Sequence, residues 1–439
     1  MPFAKQTRRR RLNPAVLRCA LILTLLVLLP CTAIYGYSVL THQAIVDSAW
    51  DGSILKLLVK RFPSATPDEL LKAHAYAYGG AIHQDMGYYP FSSRLFSDLT
   101  HYVRSGDYIA ALIKESQDLN EYAFALGALA HYAADNNGHR IATNRSVPIL
   151  YPKLRQKFGA EVTYADDATS HVQTEFSFDV LQVATGRYAP ESYRKFIGFE
   201  VSKPLIERAF LDTYGIELKD VFANLGLAIG SFRYSVSSLI PAMTRVAWNL
   251  KGDSLRKEIP GITRQKFLYN LSRASYEKEW GTEYKRPGIR TRLLTFMLRI
   301  LPPVGPFKSV RFRTPTPEVE KMFMASFNAT LDSYRGLLGT VGAGELRINN
   351  ENFDVGAPTR AGGYKGSDHT YARLLDKLAD HKFDRVPEEL RSNILDFYKN
   401  AKPPVAGMAK PKEIAEWASV QKHLEQLQAI SVSDNSQIF

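Results

Sequence analysis

The sequence predicts an all-α, multi-helical protein with a mostly helical C-terminal extension. Apolar residues recur with the 3.6-residue period of amphipathic helices over helix-length segments, and capping residues mark the starts of several of them. Few segments show the two-residue alternation that is typical of strands. A chain of 439 residues is long enough for two or three domains and a large hydrophobic core.

The first 36 residues are interpreted as an export signal. A basic cluster at residues 8–11 precedes the almost wholly apolar residues 19–33. This order is typical of a secretory signal peptide, and an uncleaved membrane anchor is the second interpretation. In both cases the charge asymmetry keeps the N-terminus inside and sends the body across the membrane. We therefore expect a periplasmic, extracellular or outwardly anchored protein.

Both cysteines, Cys19 and Cys31, lie in this leader. The body of the chain therefore has no disulfide and no thiolate ligand, and any metal site in it must use His, Asp and Glu. The net charge of +12 favours anionic partners such as membrane surfaces, nucleic acids or phosphate esters, without choosing among them.

Capping residues place the helices that follow the leader. The strongest start is the sequence Thr66-Pro67-Asp68-Glu69, and Gly79-Gly80 is the signal that ends this helix. Asp166 and Asp167 are expected to cap a longer helix. In order, helices are predicted over residues 41–50, 67–78, from 92 or 93 through 101, 107–116, 121–135, 166–184, 192–214 and 218–250.

The central stretch of the chain is residues 126–144, LGALAHYAADNNGHRIATN. His131 and Asp135 stand four residues apart, so they share one face of the predicted helix. Asn136-Asn137-Gly138 is a strong helix stop, and His139 follows it directly. The last turn of the helix and the turn after it thus present three candidate metal ligands.

A second pair of the same type is His171 and Glu175, again four residues apart on a predicted helix. Seven of the ten histidines lie before Glu175. Imidazole and carboxylate ligands together are typical of zinc sites. Two such pairs, with another histidine close behind the first, predict a metal centre.

The remaining histidines and two tyrosines have more modest interpretations. We expect His83 to support a ligand or to have no role, and His74 to be structural. Tyr88 and Tyr89 either line a substrate cleft or pack in the core. The last three histidines, His369, His381 and His423, are expected at the surface.

The character of the chain changes after residue 251. Residues 285–313 hold eight basic residues and no acidic one, interleaved with apolar residues. Such a segment either lies on an anionic membrane or packs on the core with a solvated basic rim. Helices are predicted over residues 318–338, 368–381 and 387–399, with a long loop at 342–366 and a peripheral helix after 401. We divide the chain into a leader (1–36), a helical domain (37–250) and a basic extension (251–439).

The order of the candidate ligands resembles that of a known family. Thr41-His42, Asp85, Thr100-His101-Tyr102, the His131 to His139 motif and the His171 to Glu175 motif follow one another as in zinc-dependent phospholipases C. The resemblance covers about residues 37–250 and extends more distantly to zinc-dependent single-strand nucleases. It implies a helical fold that holds two to three zinc ions.

The resemblance also implies a role for each ligand. His101, His131 and Asp135 would hold one zinc ion, and His139, His171 and Glu175 the second. His42 would hold a third, bridged by Asp135 and completed by the amino group and carbonyl of Tyr37 if the leader is cut after Gly36; a cut after Ala33 is the alternative. Asp85 would act as the general base or as an added ligand.

The function that this implies is hydrolysis of phospholipid head groups, in which a zinc-activated water attacks phosphorus. The expected partner is a phospholipid membrane surface or phospholipid substrate, and no protein partner is inferred. Three alternatives stay open: a single-strand nuclease, for which nucleic acid would be the partner, a phospholipase D-type activity on lipid anchors, and a non-enzymatic protein with a structural zinc site. The nuclease branch usually has Asp where this chain has Glu175.

Overall fold

The structure, a computed structural model, describes residues 39–185, 199–236, 248, 252–257, 312–405 and 410–430. Their regular secondary structure is almost entirely helical, with one two-stranded sheet, which confirms the all-α prediction. The leader, Tyr37 and all but the last two residues of the basic segment 285–313 lie outside the described residues.

The first part of the described chain consists of helices with two π-helical segments and one 3₁₀ turn. The π-helical segments are Trp50–Ile54 and His139–Thr143, and the 3₁₀ turn is His83–Tyr88. The α-helices are α1 Val39–Ala49, α2 Leu55–Arg61, α3 Pro67–Ile82, α4 Arg94–Tyr102, α5 Ser105–Glu115, α6 Leu119–Gly138, α7 Asn144–Leu150, α8 Pro152–Phe158, α9 Ala168–Thr185, α10 Lys203–Tyr214, α11 Leu218–Val221 and α12 Leu225–Tyr234.

Helices α3 and α6 form the centre of this arrangement, and glycines allow them to pack closely. The prediction that Gly79-Gly80 ends the helix was wrong, since α3 continues to Ile82. A Cβ on Gly80 would overlap the carbonyl oxygen of Phe124, and one on Gly127 would overlap that of Ala77. These glycines therefore serve close helix packing rather than helix termination.

The predicted stop at Asn136-Asn137-Gly138 was also wrong. Helix α6 runs through these residues, and Gly138 has ordinary helical angles (φ −60°, ψ −52°). Residues 139–143 then widen into a π-helical segment that leads into α7. Stop signals describe helix ends that reach solvent, whereas this helix is buried along nearly its whole length, so packing overrides the local preference.

Three smaller expectations need correction or refinement. Thr41 lies within α1 and does not cap it; Asp179 accepts hydrogen bonds from the backbone N–H of Leu40 and Thr41 (both 2.8 Å). Asp167 caps α9 through Ser170 N, whereas Asp166 instead accepts from Thr163 N. The helix predicted over residues 218–250 is interrupted at 222–224 in its described part.

Residues 312–405 and 410–430, as far as the structure describes them, contain four helices and a short antiparallel hairpin. These elements are α13 Pro317–Ala343, β1 Glu351–Asn352, β2 Ala357–Pro358, α14 Lys365–Asp380, α15 Glu388–Tyr398 and α16 Pro411–Ala429. Helix α13 packs on α6, where the Tyr334 hydroxyl donates to the Leu126 carbonyl (2.8 Å). One hydrophobic cluster contains residues from both parts of the chain. No described helix combines the length and the hydropathy that a membrane span requires.

Candidate metal centre

Eight of the nine predicted site residues converge in the interior, and each is at most 3% exposed. They form two clusters, defined here by their residues. The first cluster is His42, Asp85, His101, His131 and Asp135, and the second cluster is His139, His171 and Glu175. The ninth residue, Tyr37, lies outside the described residues.

Asp135 joins the imidazoles of the first cluster. Its Oδ2 lies 3.2 Å from His131 Nε2 and 3.5 Å from His101 Nε2, and its Oδ1 lies 3.4 Å from His42 Nε2. The two oxygens thus face different histidines. This carboxylate has the geometry of a bridge between two neighbouring metal positions.

Asp85 completes the first cluster from the 3₁₀ turn. Its Oδ1 lies 3.3 Å from His101 Nε2. The turn is fixed to α4 because Ser97 Oγ accepts from Gly87 N (2.9 Å) and donates to the Gln84 carbonyl. The turn therefore presents Asp85 to the same point as the ligands on α4 and α6.

Two backbone carbonyls orient the first-cluster imidazoles on α4 and α6. His101 Nδ1 lies 2.8 Å from the Ser97 carbonyl, and His131 Nδ1 lies 2.9 Å from the Ala81 carbonyl. A carbonyl only accepts, so Nδ1 must carry the proton in both rings. Nε2 of each ring is then free of its proton when the ring is neutral and directs its lone pair into the cluster.

The second cluster is centred on Glu175. Its Oε1 lies 3.2 Å from His139 Nε2 and 3.1 Å from His171 Nδ1. The outer nitrogen of His171, Nε2, lies 3.0 Å from Asn144 Oδ1. The π-helical segment after α6 carries His139 onto the face that meets α9, where His171 and Glu175 are one turn apart.

Sequence reasoning missed one buried carboxylate at the second cluster, Asp354. Its Oδ1 lies 3.3 Å from His139 Nδ1, and its carbonyl accepts from Asn144 Nδ2 (2.6 Å). Asp354 lies in the segment that was predicted only as a long loop. A loop of that length without helices of its own is often functional, which was the one signal available.

Neighbouring charges and burial shift the pKa values of the residues in and beside each cluster. Burial alone would lower the pKa of His101, but Asp135 and Asp85 outweigh it and raise that pKa to about 10. Burial would raise the pKa of Asp354, but His139 and the Tyr364 hydroxyl lower it to about 2. For Asp85, burial dominates and raises the pKa, which makes this carboxylate a better proton acceptor.

The clusters fit divalent zinc in spacing. Ligand atoms of a tetrahedral site with zinc–ligand distances of about 2.0–2.1 Å are separated by about 3.3 Å. The separations between a carboxylate oxygen and the imidazole nitrogen that it faces run from 3.1 to 3.5 Å, and the Nε2 atoms of His101 and His131 lie 3.3 Å apart. Two lone pairs at that distance repel unless a cation lies between them.

The clusters also fit zinc in charge and in their unsatisfied atoms. Among the described residues, both oxygens of Asp135 and Glu175 are buried without a hydrogen bond of good geometry, which is costly unless a cation binds them. With neutral imidazoles, the buried carboxylates of Asp85, Asp135, Glu175 and Asp354 carry a charge that two divalent ions balance.

The other histidines and tyrosines singled out in the sequence before residue 100 mostly make packing contacts and hydrogen bonds outside the two clusters. His83 lies between the Gly80 carbonyl (2.7 Å) and the Tyr108 hydroxyl (3.1 Å), and His74 stacks on Trp50. Tyr89 packs edge-on against Phe232. Tyr88 is the exception, since its ring lies 5.8 Å from that of His101 and so borders the first cluster.

A comparison with protein-family models gives one match over residues 41–224, to the family described as zinc dependent phospholipase C. The chain carries a domain of the zinc-dependent phospholipase C family. All eight described site residues lie within this phospholipase C domain, whereas Asp354 lies outside it. Searches among curated proteins and solved structures gave no match. Membership supports a zinc-dependent hydrolase with a phospholipase C-type function.

Proposed function

We propose that the protein is an exported, zinc-dependent phosphodiesterase that hydrolyses phospholipids in the manner of a phospholipase C. The observation that carries this proposal is the convergence of five imidazoles and three carboxylates into two buried clusters. The family match supports the phospholipid as the substrate class. The leader sequence supports export, and the positive net charge suits an anionic membrane surface.

The donor sets favour two zinc ions, with a third under one condition. His101, His131 and Asp135, with Asp85 beside them, would hold the first ion, and the second cluster would hold the second. His42 faces the remaining oxygen of Asp135. This pair would hold a third ion only with further ligands, for which the amino group and carbonyl of Tyr37 are the candidates after cleavage at Gly36.

Bound zinc would supply neutralisation of the phosphate charge and a lowered pKa of the attacking water. The residues of the chain do the rest. Asp85 orients the water and accepts its proton at Oδ1, since its raised pKa suits a base. His101 Nδ1 and His131 Nδ1 keep their protons and donate them in hydrogen bonds to the Ser97 and Ala81 carbonyls, which holds both rings in one orientation. Attack on phosphorus opposite the glycerol oxygen would break the bond between phosphorus and that oxygen. The oxygen takes up a proton from solvent and leaves with diacylglycerol, and the other product is a phosphorylated head group.

The experiment is an assay of the purified full chain with phosphatidylcholine vesicles, with separation of the lipid products. Diacylglycerol is expected. Phosphatidic acid instead would indicate phospholipase D-type cleavage, and cleavage of single-stranded DNA without lipid turnover would indicate a nuclease; either result would overturn the proposal.

The matched variants are Glu175→Ala in the second cluster and His369→Ala at the surface. His369 is nearly half exposed and pairs with Glu416, and neither residue belongs to a cluster. We expect Glu175→Ala to lose the zinc ion of the second cluster and to stop releasing diacylglycerol, because the change removes the residue that faces both imidazoles of that cluster. His369→Ala should keep both. Turnover by Glu175→Ala at the wild-type rate would contradict the assignment of the second cluster.

A further inference from the structure

The segment that follows α13 reaches into the metal centre. The Phe353 N–H donates to the His101 carbonyl (3.2 Å), and the Tyr132 hydroxyl donates to the Asn349 carbonyl (3.0 Å). A Cβ on Gly356, which has φ +59°, would contact the carbonyl of Asn136. These contacts hold residues 349–356 against α4 and the end of α6, although the family match ends at residue 224.

Asp354 is the residue of this segment that meets a candidate ligand. It is 3% exposed, and its Oδ1 lies 3.3 Å from His139 Nδ1. Its Oδ2 accepts from the hydroxyls of Tyr102 (2.8 Å) and Tyr364. The two tyrosines therefore fix the carboxylate, and the carboxylate in turn faces the outer nitrogen of His139.

The same residue also holds the other imidazole of the second cluster. The Asp354 carbonyl accepts from Asn144 Nδ2 (2.6 Å), and Asn144 Oδ1 lies 3.0 Å from His171 Nε2. Both outer nitrogens of the second cluster are thus connected to Asp354, one through its side chain and one through its backbone.

We propose that Asp354 is a positioning residue for the second cluster, which makes the region after residue 312 part of the metal centre. Metal-bound histidines usually donate their outer N–H to a carboxylate or carbonyl, which fixes the ring and raises its basicity. With Nδ1–H directed at Asp354, His139 presents Nε2 to Glu175 and to a metal ion. This inference rests on the zinc centre of the proposed function.

The test compares Asp354→Asn with Asp376→Asn in the full chain. Asp376 is a matched control because it also faces a histidine, His423 (3.0 Å), but is half exposed, and neither residue belongs to a cluster. Zinc affinity is measured by competition with a chelator, and the stability of the metal-free protein by thermal unfolding. Asp354→Asn should bind one zinc ion about 10- to 100-fold more weakly, and Asp376→Asn should bind as the wild type does.

The weakened ion should be the one that Glu175→Ala removes, and kcat should fall more than KM rises. If Asp354→Asn only lowers the melting temperature of the metal-free protein and leaves zinc affinity unchanged, Asp354 is merely structural and the inference is overturned. Tyr364→Phe removes one donor to the carboxylate and should weaken the same ion to a smaller extent, which keeps the test decisive if Asp354→Asn folds poorly.

Failure of this inference and failure of the proposed function give different results. Weaker zinc binding by Asp354→Asn in a protein that releases no diacylglycerol would support the inference and overturn the phospholipase. Diacylglycerol release by the wild-type protein, together with unchanged zinc affinity in Asp354→Asn, would support the phospholipase and overturn the inference. A wild-type protein that binds no zinc would overturn both.

Discussion

The two clusters of the candidate metal centre differ in what orients their imidazoles. In the first cluster, His101 and His131 are oriented by the backbone carbonyls of Ser97 and Ala81. In the second cluster, His139 and His171 are faced by side chains, the carboxylate of Asp354 and the amide of Asn144. Backbone carbonyls of packed helices therefore orient His101 and His131, whereas the imidazoles of the second cluster depend on two replaceable side chains.

This difference corresponds to the range of the family match, residues 41–224. The carbonyls that orient the first cluster lie on α3 and α4, inside residues 41–224. The carboxylate behind His139 comes from a loop beyond that range. The phospholipase C domain thus carries the eight candidate ligands that the structure describes, while part of the support for one cluster comes from the rest of the chain.

The largest loss of activity is expected at Asp135. The difference between the clusters does not matter there, because this carboxylate faces all three imidazoles of the first cluster. Asp135→Asn keeps the volume but removes the charge that neutralises the cation. A loss of several kcal/mol of transition-state stabilisation corresponds to at least about a thousandfold lower kcat/KM. Zinc content should fall at the same time, as measured by metal analysis of the purified variant. Wild-type zinc content with unchanged turnover would show that Asp135 is an ordinary buried carboxylate.

A second prediction tests whether helix packing sets the first cluster. Gly80→Ala places a Cβ onto the Phe124 carbonyl, so α3 must move away from α6. We expect the free energy of unfolding of the metal-free protein to fall by about 3 kcal/mol, measured by denaturant unfolding. Zinc affinity of the first cluster should fall too, because Ala81 next to this position orients His131.

The matched control is Gly336→Ala on α13. A Cβ there meets no atom within 4 Å, so the change should raise the free energy of unfolding by up to about 1 kcal/mol through helix propensity. Equal effects of the two glycine changes would show that close packing of α3 and α6 does not matter.

The sequence predicted helices well where packing agrees with local preference. The capping sequence before α3 forms the expected reciprocal bonds between Thr66 and Glu69. The prediction of helix ends failed where burial overrides local preference, as at Gly79-Gly80 and Asn136-Asn137-Gly138. Glycine and asparagine have the same sequence signature whether they end a helix or allow another backbone to approach, and only the tertiary structure separates the two.

The candidate ligands could be predicted because most come in pairs four residues apart, so the helix itself brings them together. Their supports could not, because Asp354 meets His139 across 215 residues with no local pattern. Asn144 stands in the central stretch, but nothing in its spacing indicates that it faces His171. Whether the eight converging residues bind zinc stays a prediction until metal content is measured.

The smallest effect is expected at Asn144, and it sharpens the comparison most. Asn144→Ala removes the acceptor that faces His171 Nε2 and the donor to the Asp354 carbonyl, while every candidate ligand stays in place. If the second cluster is set by side chains, zinc affinity there should fall about tenfold, with the first cluster unaffected.

Asn137→Ala is the control, since that side chain bonds only to the Ala133 carbonyl and Arg140 among the described residues. A chelator titration that releases the two ions separately measures both affinities. Equal loss of both ions in Asn144→Ala would mean that the clusters share one support, and the distinction between backbone-oriented and side-chain-oriented imidazoles would then have no functional meaning.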